Sequence, residues 1–360
     1  MKKIFLFLIL FINVTFAIEL NSKYAVLMDF DTGEILYEKS ALEKTNPSSM
    51  TKIMTTYLIF EKLNDGIITL KDEFKVTENA WKQEGSRTFL NLNSKVSVDN
   101  LLKGLIVQSG NDAAIVLAEG VDGYTTSFVN NMNAKAKKMK LQTSSFTNPI
   151  GFSEINHYMS VLDLAILAKN LIQDYPTLYK RYFSIKKFKW NQILQYNRNK
   201  LLEKYNGVDG LKTGHTEAGG YGIVVSAKQD NRRLIVAVNG ASSELDRETD
   251  ATLLLNFGWK AKKQVFYREG ELVKTFPVKY GNLKNVDIVS ESEVHIWTLN
   301  NEEVLPPNII FYKNIEAPLK KGERIGEIIL GNKNYNLITK DEIKRVNLII
   351  RLWRNLFDKN

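Results

Sequence analysis

The chain has 360 residues, a formal net charge of +9 and no cysteine, and 44% of its residues are hydrophobic. This apolar content supports one large core or two smaller ones and excludes a globally disordered chain. The lack of cysteine excludes disulfides, thiolate metal sites and cysteine nucleophiles, and the three histidines (His157, His215 and His295) lie too far apart to suggest a metal site.

Residues 1–17 have the pattern of a secretory signal peptide. Two lysines precede the apolar run Ile4–Ile12, and small residues at Thr15 and Ala17 suit cleavage after Ala17. The alternative, an N-terminal membrane anchor, would need about 20 apolar residues, and this run is much shorter. We therefore predict that the mature protein works outside the cytoplasm. Nucleic acid is not expected as a partner, because the chain has no basic run.

Residues 18–261 combine strands at both ends with helices between them. Tyr24–Phe30 and Glu34–Glu38 are typical of a hairpin, and Gly222–Ala227 and Leu234–Asn239 of two apolar strands around a polar turn. Helical spacing marks four further segments, namely 48–63, 98–120, 162–173 and 244–261. Short connections favour antiparallel neighbours, so we expect an α+β fold in which an antiparallel sheet is flanked by helices.

Residues 262–336 have a different pattern. Short β-type runs, such as Val286–Val289 and Ile325–Leu330, alternate with glycine, asparagine and proline. This spacing predicts a small all-β domain, in which we identify no chemistry. His295 falls in one of the strand-like runs, and we expect its role to be structural.

Residues 337–360 are predicted to form an amphipathic helix, with the helical pattern itself over Asp341–Asn360. The apolar residues at helical spacing are Ile343, Val346, Ile350, Trp353 and Phe357, and lysines and arginines occupy much of the rest. A basic helix with aromatic residues on its apolar face is typical of a membrane surface anchor. The alternative is a helix that docks on the β domain.

The first string that suggests chemistry is Ser49-Met50-Thr51-Lys52, at the start of a predicted helix. Residues three apart share a helix face, so the Lys52 amine can reach the Ser49 hydroxyl. A neutral amine can remove the serine proton, but lysine is neutral near pH 7 only if burial or another cation lowers its pKa. Ser184-Ile-Lys-Lys187 has the same spacing without a helix start, and we expect it on the surface.

Two further strings supply groups that such a serine would need. Ser109-Gly110-Asn111 lies between helical stretches, and its hydroxyl and amide could relay a proton and hold a substrate amide. Lys212-Thr213-Gly214 leads into a β region, where the glycine lets a peptide-like substrate approach the strand edge. Lys212 and Thr213 offer a cation and a hydroxyl to a carboxylate, and we expect Lys212 to be the second cation near Lys52. Taken alone, either string could be an ordinary turn.

Together and in this order, the three strings resemble the signature of the penicillin-binding protein and serine β-lactamase superfamily. Their flanks, Asn46–Lys52, Gln108–Ala113 and Asp209–Thr216, are similar to those of low-molecular-mass D-alanyl-D-alanine carboxypeptidases. The resemblance implies the β-lactamase/penicillin-binding fold and removal of the terminal D-alanine from peptidoglycan stem pentapeptides through an acyl-enzyme. It also implies covalent inhibition by β-lactams, no cofactor and no metal, and a location at the periplasmic face of the bacterial inner membrane.

The resemblance further implies roles for single residues. Ser49 would be the nucleophile, Lys52 its general base and Ser109 the proton shuttle. The oxyanion hole would consist of the backbone N–H groups of Ser49 and His215. The residues implied to bind the substrate are Asn111, Lys212, Thr213, Gly214, His215 and, near the carboxylate, Arg247. His157 falls in a stretch that matches the family, without an implied role.

Three other functions would fit parts of this pattern. A serine β-lactamase usually presents its deacylating carboxylate in a Glu-x-x-Leu-Asn string, which this chain lacks, and it has Asp where this chain has Gly110. A non-enzymatic wall-binding protein would not need all three strings intact. A D,D-endopeptidase that cuts peptidoglycan cross-links would use the same residues, so this alternative stays open.

Overall fold

The computed structural model describes residues 18–298, 304–312, 315–331 and 333–347. The chain divides between Trp259 and Lys260 into two compact units, two residues before the boundary expected from the sequence. The predicted signal peptide, residues 1–17, lies outside the described residues.

The first unit contains one large sheet, three two-stranded sheets and several helices. Its strands are β1 (Tyr24–Asp29), β2 (Ile35–Lys39), β3 (Glu73–Lys75), β4 (Lys95–Ser97), β5 (Ser144–Ser145), β6 (Tyr158–Met159), β7 (Lys187–Trp190), β8 (Ile193–Tyr196), β9 (Val208–Thr216), β10 (Gly220–Gln229) and β11 (Arg232–Ala241). Its helices are α1 (Lys52–Asn64), α2 (Glu78–Trp81), α3 (Val98–Lys103), α4 (Asn111–Asp122), α5 (Thr125–Lys138), α6 (Val161–Asp174), α7 (Pro176–Phe183), α8 (Leu201–Lys204) and α9 (Glu244–Lys260). A short 3-10 helix (Ser48–Thr51) precedes α1, and a π-helical turn (Gly104–Gln108) follows α3.

The large sheet joins strands from both ends of the unit. Its order is β2-β1-β11-β10-β9, and all neighbouring strands are antiparallel. Strand β1 pairs with β11 so that Tyr24 lies opposite Asn239 and Asp29 opposite Leu234. The predicted α+β fold, with terminal strands in one antiparallel sheet, is confirmed. Strand β9, which contains Lys212, Thr213 and Gly214, forms one edge of this sheet.

Both faces of the sheet are covered by helices. Helix α6 packs against β1 and β11. On α9, a Cβ added at Gly258 would lie 2.6 Å from Leu234 and 3.1 Å from Leu27, so this helix lies directly on the sheet. Residues 234–238 of β11 are all fully buried. Because both sides of the sheet are buried, these strands have apolar runs rather than an alternating pattern.

Helix α1 lies within the core of the first unit. Every residue from Thr51 to Phe60 is buried. A helix that is covered on all sides belongs in the interior, where close packing leaves it little freedom to move. The first turn of α1, which carries Lys52, is therefore held rigidly.

The second unit is built from strands, as predicted. They are β12 (Lys262–Tyr267), β13 (Leu272–Pro277), β14 (Asn285–Ser290), β15 (Val294–Thr298), β16 (Asn308–Phe311), β17 (Arg324–Leu330) and β18 (Lys333–Thr339). One sheet has the order β13-β14-β18-β17-β16, and β12 pairs with β15. Val286, Ile288, Ile328 and Leu337 are among the residues of its buried core.

The segment after β18 corrects the predicted C-terminal helix. Its expected start at residue 337 falls inside β18, and residues 341–347 contain two isolated β-bridges and no helix. Ile343 exchanges two backbone hydrogen bonds of 2.9 Å with Leu319, and its side chain is fully buried. Tertiary packing therefore places Ile343 in the β core, not on a membrane-facing stripe. The rest of the predicted helix, residues 348–360, lies outside the described residues, and none of the described helices could span a bilayer.

The buried Asp250 carboxylate ties the segment before β1 to helix α9. It accepts hydrogen bonds from the Ser22 N–H and hydroxyl, both at 2.6 Å. We expect Asp250→Ala to lower the free energy of unfolding by about 3 kcal/mol, because two buried donors lose a charged acceptor. Asp250→Asn should lower the free energy of unfolding by a smaller amount. Glu43→Ala, at an exposed position, should change the free energy of unfolding by less than about 0.5 kcal/mol. Urea unfolding measures this, and equal effects of all three substitutions would contradict it.

Candidate active site

Ser49 is presented by the 3-10 helix in front of α1. The Asn46 side-chain oxygen accepts the Ser48 N–H at 2.9 Å, which forms a turn around Pro47 directly at the start of the 3-10 helix. Ser48 has a φ of 51°, a left-handed conformation that non-glycine residues rarely adopt. Ser48 and Met50 are buried, whereas Ser49 between them is partly exposed. This turn therefore exposes a single hydroxyl on an otherwise buried segment.

The Lys52 amine contacts this hydroxyl from inside the protein. Nζ lies 3.0 Å from Ser49 Oγ, and it donates a hydrogen bond of 2.7 Å to the Ile150 carbonyl oxygen. The side chain is only 1% exposed. A neutral amine that donates one proton to Ile150 can turn its lone pair to the Ser49 hydroxyl. This geometry suits proton removal from serine.

The pKa of Lys52 is lowered from 10.5 to about 7. Burial is the largest cause, because the protein interior disfavours the charged amine, and the positive charge of Arg198 lowers the pKa further. The negative charge of Asp112 opposes these two effects. The amine is therefore partly neutral at physiological pH, as a general base must be.

Arg198 is a second cation that acts on Lys52, in addition to the expected Lys212, which is coupled to Lys52 by charge. Lys212 is itself only 2% exposed, and burial together with the charge of Lys52 holds its pKa well below the ordinary value. The positive charge of exposed Arg198 disfavours a proton on Lys52. Its neighbour Asn199 donates to the Gly210 carbonyl at 3.0 Å, which ties the segment to β9. A lone arginine between two asparagines carries no motif, so the sequence did not indicate it.

The third string lies on β9, directly against the turn that carries Ser49. A Cβ at Gly214 would lie 3.0 Å from the Pro47 carbonyl oxygen and 3.0 Å from Ser48 Cβ. A side chain here would push these atoms back by a few tenths of an ångström, so tight packing as well as access for a substrate favours glycine at position 214. The hydroxyls of Ser48 and Thr216 are 3.1 Å apart and join the two segments.

His215 lies on the same strand, β9, and Arg247 lies beside this strand. The exposed ring of His215 stacks on Tyr221, with ring centroids 3.9 Å apart. The buried Arg247 guanidinium lies 5.6 Å from the centroid of the Tyr221 ring, and its Nη1 is 3.4 Å from the Gly214 carbonyl oxygen. The Tyr221 ring is thus close to both predicted substrate-binding residues, and no pattern in the sequence singles it out.

The second string holds a buried hydroxyl in an unusual backbone conformation. Ser109 has a φ of 65° and is only 2% exposed. Within the described part of the chain its hydroxyl has no hydrogen-bond partner. An unpaired buried hydroxyl on a left-handed residue is costly and is typical of functional positions. The next residue is Gly110, and the packing requires glycine because a Cβ there would lie 2.1 Å from Thr88 Oγ1.

Asn111 and Asp112 attach this string to the loop 84–90. The Asn111 amide donates to the Glu84 carbonyl at 2.6 Å. The fully buried Asp112 carboxylate accepts the N–H groups of Thr88 at 2.8 Å and Leu90 at 3.1 Å. Because the charge of Asp112 acts on the pKa of Lys52, this string lies within electrostatic reach of the first one.

The loop 147–152 is a part of the site that the sequence analysis missed. The Asn148 side-chain oxygen accepts the N–H groups of Gly151 at 2.7 Å and Phe152 at 3.0 Å, which shapes the loop so that Ile150 offers its carbonyl to Lys52. Thr55 on α1 donates to the Pro149 carbonyl at 2.6 Å. A backbone carbonyl leaves no signature in a sequence, because any residue can supply it.

His157 joins the loop 147–152 to the 3-10 helix through hydrogen bonds to Thr147 and Thr51. Its Nδ1 accepts the Thr147 N–H at 3.1 Å, so Nε2 carries the proton and donates to the Thr51 hydroxyl at 2.8 Å. Burial, helped by the charge of Lys52, lowers the pKa of His157 to about 4, so it is neutral at physiological pH. The imidazole therefore acts as a fixed hydrogen-bonding group between Thr147 and Thr51.

The second Ser-x-x-Lys string lies on the surface, as expected. Ser184 is exposed at the end of α7, and its hydroxyl donates to the Lys180 carbonyl at 2.7 Å. Lys187 is exposed at the start of β7. The two residues are not on one helix, so their spacing does not bring them together.

Both units match known protein families. Residues 13–243 match the family described as D-alanyl-D-alanine carboxypeptidase. Residues 262–351 match the family described as Penicillin-binding protein 5, C-terminal domain.

Individual relatives cover most of the chain. D-alanyl-D-alanine carboxypeptidase DacF of Bacillus subtilis is 36% identical over 94% of this chain and 90% of its own length. The crystal structure of the D-alanyl-D-alanine carboxypeptidase DacD from Francisella tularensis is similar with a TM-score of 0.76 and 29% identity, over 91% of this chain and 95% of that one. Penicillin binding protein 5 from Haemophilus influenzae is similar with a TM-score of 0.67 and 34% identity, over 91% and 98%.

The charge of Arg198 gives a test of the electrostatics around Lys52. We expect the Lys52 amine to titrate at about 7, as followed by NMR of ¹³Cε-labelled lysine. Arg198→Gln should raise this pKa, because loss of a nearby positive charge favours the protonated amine, but by less than burial lowers it. Arg181→Gln, a matched change at an arginine paired with Asp99, should leave it unchanged. A midpoint near 10.5 in the unmodified protein would contradict the assignment.

Proposed function

Since the chain belongs to the D-alanyl-D-alanine carboxypeptidase family of serine peptidases, we propose that Ser49 forms the acyl-enzyme of this reaction. The substrate would be a peptidoglycan stem pentapeptide, and the products a tetrapeptide and D-alanine. One observation carries the assignment, namely the buried Lys52 amine 3.0 Å from a partly exposed Ser49 hydroxyl. A buried amine with a pKa of about 7 is matched to the pH at which it must accept a proton.

The first step is acylation of Ser49. Lys52 takes the hydroxyl proton while Oγ attacks the carbonyl carbon of the penultimate D-alanine. The backbone N–H groups of Ser49 and His215 would stabilise the negative oxygen of the tetrahedral intermediate, where each such donor contributes roughly 3–4 kcal/mol. The peptide C–N bond then breaks, and the leaving amine receives the proton from Lys52 through the Ser109 hydroxyl. The unpaired, buried state of that hydroxyl favours such a relay role.

The substrate would lie along the edge strand β9. Its terminal carboxylate would meet Lys212 and Thr213, and an anion there favours the charged form of the Lys212 amine. Asn111 would hold the peptide backbone from the opposite side, and Gly214 leaves the strand edge open to it. Arg247, behind Gly214, would add positive charge to the carboxylate site.

Deacylation uses water and returns the enzyme to its first state. A water oxygen attacks the ester carbonyl, Lys52 accepts the water proton, and Ser49 Oγ regains a proton as the ester bond breaks. With a β-lactam the opened ring keeps the leaving amine attached to the acyl group. The amine then stays beside the ester and obstructs the water, so we expect a long-lived adduct on Ser49.

The nucleophile can be tested with a matched pair of serines. Ser49→Ala should reduce release of D-alanine from a pentapeptide by at least about a thousandfold, because no other group can carry the acyl chain. Ser184→Ala, at the surface copy of the string, should keep the activity within about twofold. Chromatography of the peptide measures the release, and mass spectrometry should find a penicillin G adduct on the Ser49 peptide only. Persistent release by the Ser49 variant would contradict the proposal.

The proposed location of the protein rests on its substrate and on the sequences of residues 1–17 and 348–360. Peptidoglycan lies outside the cytoplasm, so we propose export through residues 1–17. We further propose that residues 348–360 hold the protein at the periplasmic face of the inner membrane. The apolar residues of this tail include Trp353 and Phe357, and Arg351 and Arg354 supply positive charge. Such a composition suits the headgroup region of a bilayer.

The membrane role of the tail can be separated from the fold of the β unit. Deletion of residues 348–360 should release the protein from membranes and leave activity on a soluble pentapeptide unchanged. The deletion must begin after residue 347, because Ile343 belongs to the buried core. Cell fractionation measures the first effect and D-alanine release the second. An unchanged membrane fraction would contradict the anchor.

A further inference from the structure

One end of the β unit brings together three segments beside the last described residue, Asn347. The segments are the turn 278–284 between β13 and β14, the loop 317–322 before β17 and the chain after β18. The Asn282 N–H donates to the Lys344 carbonyl at 2.8 Å, and the Val346 N–H donates to the Tyr280 carbonyl at 2.9 Å. The loop joins them through the paired bonds of Leu319 and Ile343. The polypeptide therefore leaves the described structure from this end.

Exposed apolar and basic side chains share this end. Tyr280 is 39% exposed and Leu283 is 48% exposed. The Arg345 guanidinium lies 5.8 Å from the centroid of the Tyr280 ring, which places a cation and an aromatic ring side by side. We name as the exit patch the exposed residues Tyr280, Leu283, Lys284, Lys344 and Arg345.

Positive charge exceeds negative charge around the exit patch. Among the described residues, the cations at this end are Lys279, Lys284, Lys320, Lys321, Lys340, Lys344 and Arg345, and the acids are Glu316, Glu323, Asp341 and Glu342. Two of the acids have local partners, because Glu316 lies 3.9 Å from Lys279 and Glu323 accepts the Lys320 N–H at 3.0 Å. The opposite end of the same strands carries Glu269, Glu271 and Glu291 with Arg268 and Lys333.

We propose that the exit patch binds a bilayer containing anionic phospholipids, as a second membrane contact beside the tail. An exposed tyrosine and leucine surrounded by cations match the chemistry of the headgroup region, where aromatic rings and basic side chains are favoured. The proposal rests on the proposed anchoring function, since residues 348–360 begin at this end and would hold the patch close to the lipid. Two linked contacts bind more tightly than either alone, because the first makes the second intramolecular.

The test compares binding of the chain from residue 18 to vesicles of phosphatidylcholine with or without phosphatidylglycerol, measured by co-sedimentation. Leu283→Ser with Lys344→Gln removes one exposed leucine and one exposed lysine from the patch. Leu272→Ser with Lys333→Gln is a matched control, because Leu272 begins β13 and Lys333 begins β18, at the opposite end of these strands. We expect the patch variant to bind the anionic vesicles about tenfold more weakly and the control to stay within twofold of the unmodified chain.

The deletion of residues 348–360 separates this proposal from the anchor. If the deletion removes binding but the patch variant binds like the unmodified chain, the patch is wrong and the anchor stands. If the patch variant loses binding but the deletion does not, the patch stands and the anchor is wrong. Equal weakening by the patch and control variants, or no binding by the unmodified chain, overturns the patch. Circular dichroism confirms that each variant is folded.

Discussion

The proposed chemistry of this protein depends on one amine that is kept out of water. Burial makes the charged form of Lys52 costly, and Arg198 adds repulsion, so the amine can be neutral near physiological pH. The Ile150 carbonyl oxygen accepts a hydrogen bond from this amine, which leaves the lone pair of the neutral form free to face Ser49. Displacement of α1 or of the loop 147–152 would return the amine to water, where it would be charged and inactive as a base. The extensive packing around α1 is therefore needed for the role that we propose for Lys52.

The sheet supplies the second half of the site. Closure of β1 onto β11 fixes the order of the remaining strands and leaves β9 at the edge beside the 3-10 helix. The close approach at Gly214 locks that edge to the turn carrying Ser49, while the outer side of β9 stays open to a peptide. Residues more than 150 positions apart thus meet because strands from the two ends of the first unit share a sheet. This explains why a β strand, rather than a loop, presents the groups predicted to bind the carboxylate.

Several parts of the fold and site were predictable, and the failures have physical causes. Strands β1, β10 and β11 were predictable from continuous apolar runs, because both faces of the sheet are buried, and helix α6 was predictable from its helical spacing. The C-terminal helix was wrong over residues 341–347 because apolar residues three positions apart also fit an extended chain with one buried side chain. The contact of Ile343 with Leu319 decided between these structures. The sequence did not indicate Arg198 or Tyr221, because they act through space on residues remote in the chain. It did not indicate Ile150, because this residue acts through its backbone carbonyl.

The sequence by itself determined the order of the three strings, the class of fold and the family to which the chain belongs. These follow from residue identity and spacing along the chain, which survive without coordinates. Only the tertiary structure decided that Arg198 also acts on the pKa of Lys52, which carbonyl orients its amine and how the chain continues after β18. Those properties depend on burial and on distances between segments remote in the chain, and neither quantity is encoded in local spacing.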